Sequence, residues 1–300
     1  MLRLVSVNIR KICTSACFWV CVLLTLLLCL TASVYTPIQA SSITVLSIIT
    51  KLSRLDLEAS TQFSAYEIFI AYRNGYFPMF CSMLAIFPFI NLLSTQRESK
   101  MQRYFIIRLG RNSYALGQVL SLLISGALTV LIVVLVYGAI VWAYFPHIDD
   151  YATDIVQMYL DTLYVAPWAQ HLFHKGGLAA LVAIHIICLI MYTFCCCSTG
   201  VFITAITHNR YLILTIPFFM QYLFNQLSSA LISQAYADIT NPKEWLAQIA
   251  QILSPEAVRN LLWSTGVDVI LSCILHFGIL LISCVLFTWI GNRRIDAGDF

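Results

Sequence analysis

Six long stretches of this chain contain no Asp, Glu, Lys or Arg, and charged residues bound each of them. They are Ile12–Thr50, Asn74–Gln96, Asn112–Ile148, Gly176–Asn209, Tyr211–Ala237 and Val269–Asn292. A helix that crosses a bilayer needs about 20 mainly apolar residues, because the hydrocarbon core is about 30 Å thick and each helical residue rises about 1.5 Å. The sequence therefore predicts an all-α integral membrane protein with six transmembrane helices.

The composition supports this class, since only 10% of the 300 residues are charged and 60% are hydrophobic. A soluble domain carries roughly 25% charged residues. We predict a single membrane domain over residues 1–300. Its spans lie near 14–36, 75–95, 115–143, 178–206, 211–233 and 269–290. A cytoplasmic loop covers 96–114, and outer loops cover 37–73, 144–177 and 234–268.

The distribution of basic residues predicts the orientation of these spans. Eleven of the 17 basic residues fall in segments on one side, where the net charge is +8 against −5 on the other side, giving the total of +3. They are Arg3, Arg10, Lys11, Arg97, Lys100, Arg103, Arg108, Arg111, Arg210, Arg293 and Arg294. Because short cytoplasmic segments are enriched in Lys and Arg, we predict a multi-pass protein of the cell membrane with both termini in the cytoplasm.

The first residues favour a short amphipathic helix on the inner membrane surface. Leu2, Val5, Ile9 and Ile12 recur at the spacing of one helix face. A cleaved signal peptide is the alternative for this segment. It is disfavoured because the apolar run from Ile12 to Leu30 is longer than a signal-peptide core, which usually has about 7–15 residues.

Several functional classes lack their sequence signatures here. The chain contains no G-x-x-x-x-G-K-[ST], no H-E-x-x-H and no G-x-S-x-G. The spans contain no pair of carboxylates of the kind that ion-coupled carriers use, and the net charge is too small to argue for nucleic acid. We therefore predict no enzymatic activity, cofactor or metal in this chain. If the chain takes part in transport, we expect another subunit to supply the energy.

Two histidines leave a different interpretation open. His171 and His174 form H-x-x-H in the second outer loop, with Asp161 as the nearest carboxylate in sequence. A zinc site needs at least three protein ligands. A membrane-embedded metalloenzyme would use these groups, whereas two interfacial histidines without metal are the simpler interpretation.

The longest cytoplasmic segment has a composition suited to docking. Arg97–Leu109 can form a short basic helix in which Met101, Tyr104, Phe105 and Arg108 follow one side, and Gly110 permits a break after it. The alternative is an interfacial helix whose charges only obey the positive-inside rule. Spacing alone leaves both open.

In layout, the whole chain resembles the membrane subunits of type-2 ABC exporters. The resemblance rests on the amphipathic N-terminus, six spans, Arg97-Glu98 and Leu109-Gly110-Arg111 in a basic loop, and a short inner turn at His208-Asn209-Arg210. Leu253-Ser254-Pro255 before the last span and the tail Asn292-Arg293-Arg294-Ile295-Asp296 also fit. Unlike the family pattern, no glycine closely follows Glu98.

The resemblance implies an exporter permease whose coupling helix, Arg97–Leu109, rests on a separate ATP-binding ABC subunit that holds ATP and Mg. A second permease subunit, identical or different, would complete the membrane unit among the lipids. The implied coupling residues are Arg97, Glu98, Arg103, Tyr104, Phe105 and Arg108.

The resemblance also implies a path lined by the second and fifth spans. In the fifth span, Gln221, Asn225 and Ser228 share one helix face with Ile232. A path without charges suits an amphipathic or apolar substrate. Hydrogen bonding between helices is the alternative for these side chains.

A non-transporting membrane scaffold or sensor, which needs neither a path nor an ATPase, is the second interpretation of the whole chain.

Overall fold

The structure, a computed structural model, describes residues 1–36, 41–58, 63–152, 154–155, 167–207, 209–237, 243–259 and 267–297. Its α-helices are α1 Leu2–Cys13, α2 Ala16–Leu30, α3 Val45–Lys51, α4 Arg54–Glu58, α5 Ala65–Ile70, α6 Phe77–Glu98, α7 Met101–Leu109, α8 Arg111–Tyr144, α9 Pro167–Ile206, α10 Arg210–Ala235, α11 Glu244–Leu253, α12 Glu256–Arg259 and α13 Val267–Ala297. Strands β1 Ser33–Thr36 and β2 Ser41–Thr44 pair antiparallel, with Ser33 opposite Thr44. Short 3-10 turns cover Ala71–Asn74 and Ile148–Asp150.

The fold is all-α apart from this small hairpin, and its long helices are compatible with a multi-pass membrane protein. In the described ranges, four helical segments are long and apolar enough to cross a bilayer: Phe77–Glu98, Arg111–Tyr144, Lys175–Ile206 and Val269–Ile290. The pair α1 and α2, bent by 67°, adds a fifth if it is one broken span.

The remaining predicted spans differ from simple apolar helices. α2 ends at Leu30 and is followed by β1, so the helix stops short of the span predicted near 14–36. α10 has 26 residues and is long enough for the span predicted near 211–233. It is not among the sufficiently apolar helices, because polar residues, chiefly Gln221, Asn225 and Gln226, interrupt its apolar sequence.

The segment between α2 and α6 folds back onto the long helices instead of forming an open loop. The Tyr137 hydroxyl on α8 donates to the Ile68 carbonyl on α5 at 2.6 Å. The Tyr72 hydroxyl hydrogen bonds with Nε2 of His185 on α9, and both residues are buried. The Phe69 ring contacts both Tyr72 and His185. Aromatic packing and satisfied backbone groups therefore close one end of the bundle.

α6 occupies the middle of the bundle and packs against α2, α8, α9 and α10. Its approach to α9 depends on Gly200, because a Cβ at this position would lie 2.5 Å from Cδ1 of the fully buried Ile86. Small residues allow close helix contacts of this kind in membranes.

We expect Gly200→Ala to lower the free energy of unfolding by about 2 kcal/mol, since the added methyl group overpacks a site where the Ile86 side chain is fully buried. Gly278→Ala on α13 is the matched control, because a Cβ there meets nothing within 4 Å. Denaturant titration of the purified protein in mild detergent measures both. Equal stability of the two variants would contradict close α6–α9 packing.

Candidate functional site

A sharply bent connection joins α6 to α8 and presents α7 at one end of the bundle. α6 ends at Glu98, and Lys100 adopts a left-handed conformation with φ 54° before α7 begins. Gly110 has φ 80° and ends α7, as its position predicts. The expected single helix Arg97–Leu109 is therefore divided, and Arg97 and Glu98 belong to the last turn of α6.

One side of α7 is turned away from the protein and combines apolar with basic side chains. This side, the α7 surface, consists of Met101, Tyr104, Ile107 and Arg108. Ile107 is 86% exposed and Tyr104 62% exposed, and Nη1 of Arg108 donates to the Tyr104 hydroxyl at 3.4 Å. Arg103 is also exposed and lies one helical turn before Ile107, whereas Phe105 is partly buried on the side toward the bundle. Sequence reasoning named Tyr104 and Arg108 but missed Ile107.

A buried polar network holds the base of this connection. Nε2 of Gln96 donates to Oδ1 of Asn8 at 2.9 Å, and Nε2 of Gln118 donates to Oε1 of Gln96 at 3.0 Å. Nδ2 of Asn8 donates to the Ser121 hydroxyl oxygen at 3.0 Å and is 3.4 Å from Oε1 of Gln118. All four residues are buried. The network therefore joins α1 to α6 and α8, the two helices between which α7 is held.

We expect Gln96→Leu to cost about 2 kcal/mol of stability, because it leaves Oδ1 of Asn8 and Nε2 of Gln118 buried without these hydrogen bonds. Denaturation of the purified variant in detergent measures the loss. A variant with Leu at positions 8, 96 and 118 is the control, since removing all three amides together leaves fewer stranded groups. We expect Gln96→Leu to be less stable than the triple variant. Equal or greater stability of Gln96→Leu would contradict a cooperative network.

The same end of α6 also contacts the last turn of α9 and the start of α10. Nη2 of Arg97 donates to the Thr204 carbonyl at 3.2 Å, and Glu98 forms an exposed ion pair with Arg210. An exposed ion pair contributes little stability, so we assign this pair a role in holding the end of α6 beside the start of α10. The predicted coupling residues Arg97 and Glu98 thus bind another part of this chain, while Tyr104 and Arg108 point outward.

The three polar residues predicted to line a path on α10 each contact another part of the chain. Nε2 of Gln221 donates to the Tyr192 hydroxyl at 3.2 Å, and Ser228 donates to the Ala250 carbonyl at 2.9 Å. Nδ2 of Asn225 lies 3.5 Å from Oε1 of Glu256. Hydrogen bonding between helices, the alternative interpretation, therefore describes Gln221 and Ser228. Oδ1 of Asn225 is buried and has no partner.

Two cavities adjoin this polar face. The first, of about 410 Å³, lies between α9, α10 and α13 and includes Gln221, Pro255 and His276 in its lining. The second, of about 310 Å³, is lined by Asn225 and other residues of α10, Gln251 of α11, Glu256 of α12 and Val269 of α13. Volumes of this size are typical of small-molecule sites.

A buried arginine that the sequence did not single out lies beside the second cavity. Arg259 is 3% exposed, and its Nη2 lies 3.3 Å from Oε2 of Glu256. Its guanidinium lies over the Tyr192 ring, 5.7 Å from the centroid, while Nε and Nη1 have no partner. Burial and the nearby Arg259 charge lower the pKa of Arg73. The i,i+3 spacing of Glu256 and Arg259 was the only local signal of this pair.

The described part of the structure does not assemble a metal site from the histidines of the metalloenzyme interpretation. His171 is exposed, whereas Asp161 and the side chain of His174 lie outside the described residues. In the part of the chain that the structure describes, no three His, Cys, Asp or Glu residues are placed to hold a metal ion.

Comparison with known proteins does not assign a family. The sequence matches no protein-family model, and no curated protein or solved structure is significantly similar to it.

Proposed function

We propose that this chain is the membrane-spanning permease subunit of an ATP-driven, ABC-type transporter, an exporter of an amphipathic or apolar substrate. The observation that carries the proposal is the α7 surface. It presents Tyr104 and the 86%-exposed Ile107 together with Arg108 on a short helix held between two long ones. An exposed apolar patch rimmed by charge is typical of a protein interface.

The surroundings of α7 suit transmission of force. Asn8, Gln96 and Gln118 link α1, α6 and α8 through hydrogen bonds at the base of α7. Arg97 connects the same end to α9. A partner that moves α7 would therefore move several membrane helices together. This is the mechanical role that a coupling helix has in the family that the sequence resembles.

The topology proposed for this function has six crossings, with the bent pair α1 and α2 as the first and α10 as the fifth. The α7 surface, the N-terminus and the C-terminus then lie in the cytoplasm of a cell-membrane protein, as the basic residues predict. A polar α10 is acceptable as a span where its polar groups face other helices, as Gln221 and Ser228 do. Its exposed apolar residues, such as Phe219 and Leu223, are available to lipid or to a second permease subunit.

Purification of the tagged chain from its native membrane in mild detergent tests the proposal. We expect an ATP-binding subunit to co-purify in stoichiometric amount, with ATPase activity in the complex and ATP and Mg bound to that subunit. A folded chain that purifies alone and without ATPase activity would support the scaffold or sensor interpretation instead. Zinc retained by the isolated chain would favour the metalloenzyme interpretation.

A further inference from the structure

The two cavities beside α10 are lined by successive parts of that helix. Gln221 lines the first cavity and Asn225 the second, and residues four apart on a helix are neighbours about 5–6 Å apart. On the opposite wall, Pro255 lines the first cavity, while Ser254 and Glu256 on either side of it line the second. The two cavities therefore lie next to each other.

The first cavity offers few free hydrogen-bonding groups to a ligand, although some polar side chains line it. Ser198 donates to the Cys195 carbonyl at 2.6 Å, and Thr199 donates to the Cys196 carbonyl at 3.1 Å. Nδ1 of His276 lies 2.8 Å from the Ser272 carbonyl, and Gln221 is bonded to Tyr192. These groups already have partners within the protein, so the cavity favours hydrocarbon over a polar ligand.

The second cavity presents hydrogen-bond acceptors, beside side chains that can also donate, those of Ser229, Gln251 and Ser254. Oδ1 of Asn225 is buried without a partner, and Glu256 contributes its carboxylate. Ser228 uses its hydrogen on the Ala250 carbonyl, which leaves the hydroxyl oxygen as an acceptor. Neither Lys nor Arg is among the described residues that line this cavity. A bound group that donates hydrogen bonds would satisfy Asn225, whereas an anion would face the Glu256 carboxylate, whose partner Arg259 does not line the cavity.

We infer that the two cavities together bind one amphiphile, with its hydrocarbon chain in the first cavity and its head group in the second. The head group donates hydrogen bonds through an amine or hydroxyl and carries no net negative charge. This assignment deepens the proposed function, on which it rests for the conclusion that the bound molecule is the transported substrate. In the proposed topology the head group lies toward the outer side of the membrane.

Photolabelling tests the site without requiring transport. The purified protein is placed in lipid nanodiscs and exposed to three 12-carbon probes that carry a diazirine in the chain. Their head groups are an amine, a hydroxyl and a carboxylate. We expect saturable labelling of α9, α10 and α13 by the amine and hydroxyl probes, and at least tenfold weaker apparent affinity for the carboxylate probe.

Variants separate the contributions of the head-group cavity. Asn225→Leu should weaken the amine and hydroxyl probes at least fivefold. Gln226→Leu, which changes an exposed amide at the next position of α10, should leave both unchanged. Glu256→Gln should weaken the amine probe more than the hydroxyl probe, because only the charged amine gains from the carboxylate. Equal labelling by all three probes, or no effect of Asn225→Leu, would overturn the inference.

The result is separable from the outcome of the permease proposal. Head-group-selective labelling of a chain that associates with no ATPase would uphold the amphiphile site and reject its assignment to transport cargo. An ATPase complex without saturable labelling between α9, α10 and α13 would uphold the permease and overturn the amphiphile site.

Discussion

Replacing Ile107 with Asp is expected to reduce the amount of co-purifying ATPase subunit at least tenfold, with little change in the stability of the membrane chain. Ile107 is 86% exposed on α7, so the substitution removes no internal packing. In the proposed complex, the new carboxylate would be buried without a partner at the centre of the interface. Loss of one apolar anchor there costs about 2 kcal/mol or more of binding free energy. Quantitative pull-down and ATPase assay measure the effect.

The matched control is Leu55→Asp on α4, because Leu55 is 80% exposed but lies in the segment predicted to be outside the cell. We expect this variant to retain the ATPase subunit fully. Tyr104→Ala should reduce association, whereas Phe105→Ala should have a smaller effect because Phe105 is partly buried against the bundle. Retention of the ATPase by both Ile107→Asp and Tyr104→Ala would reject the α7 surface as the docking site.

Replacing Glu256 with Leu is expected to lower the free energy of unfolding by about 3 kcal/mol, the cost of leaving a buried charge without its ion-pair partner. Arg259 is 3% exposed and two of its nitrogens already lack a partner. Removal of the carboxylate at 3.3 Å also takes away the contact of Nδ2 of Asn225. Denaturant titration in mild detergent, followed by tryptophan fluorescence, measures the loss.

The double variant Glu256→Leu and Arg259→Met tests whether the loss comes from the stranded charge. Replacing a buried ion pair by apolar residues is often close to neutral, so the double variant should recover most of the stability. A double variant as unstable as Glu256→Leu alone would show that Glu256 acts by packing or through Asn225, and not mainly through Arg259.

Local features of the sequence were predictable to different degrees. The break at Gly110 followed from the conformational freedom of glycine, and the structure has φ 80° there. The earlier break at Lys100 carried no comparable signal, because a left-handed lysine is unusual. The expected helix Arg97–Leu109 therefore begins later, at Met101. The exposure of Ile107 could not be predicted either, since burial depends on where α6 and α8 hold the helix.

Helical periodicity identified the polar face of α10 but not its use. Gln221, Asn225 and Ser228 share a face because the helix repeats every 3.6 residues, roughly. Their partners Tyr192, Glu256 and Ala250 come from three separate elements. Only the packing of those elements shows that two of the polar groups join helices together and that Asn225 retains an acceptor beside a cavity.

By itself, the sequence determined that this is a helical protein suited to a membrane, because length, apolar composition and the spacing of charge are properties of each segment on its own. Only the tertiary structure decided which polar groups meet. Asn8, Gln96 and Gln118 are far apart along the chain, and their contact depends on the packing of α1, α6 and α8. The α7 surface and the paired cavities arise in the same way, since exposure and enclosure depend on the neighbours that folding supplies.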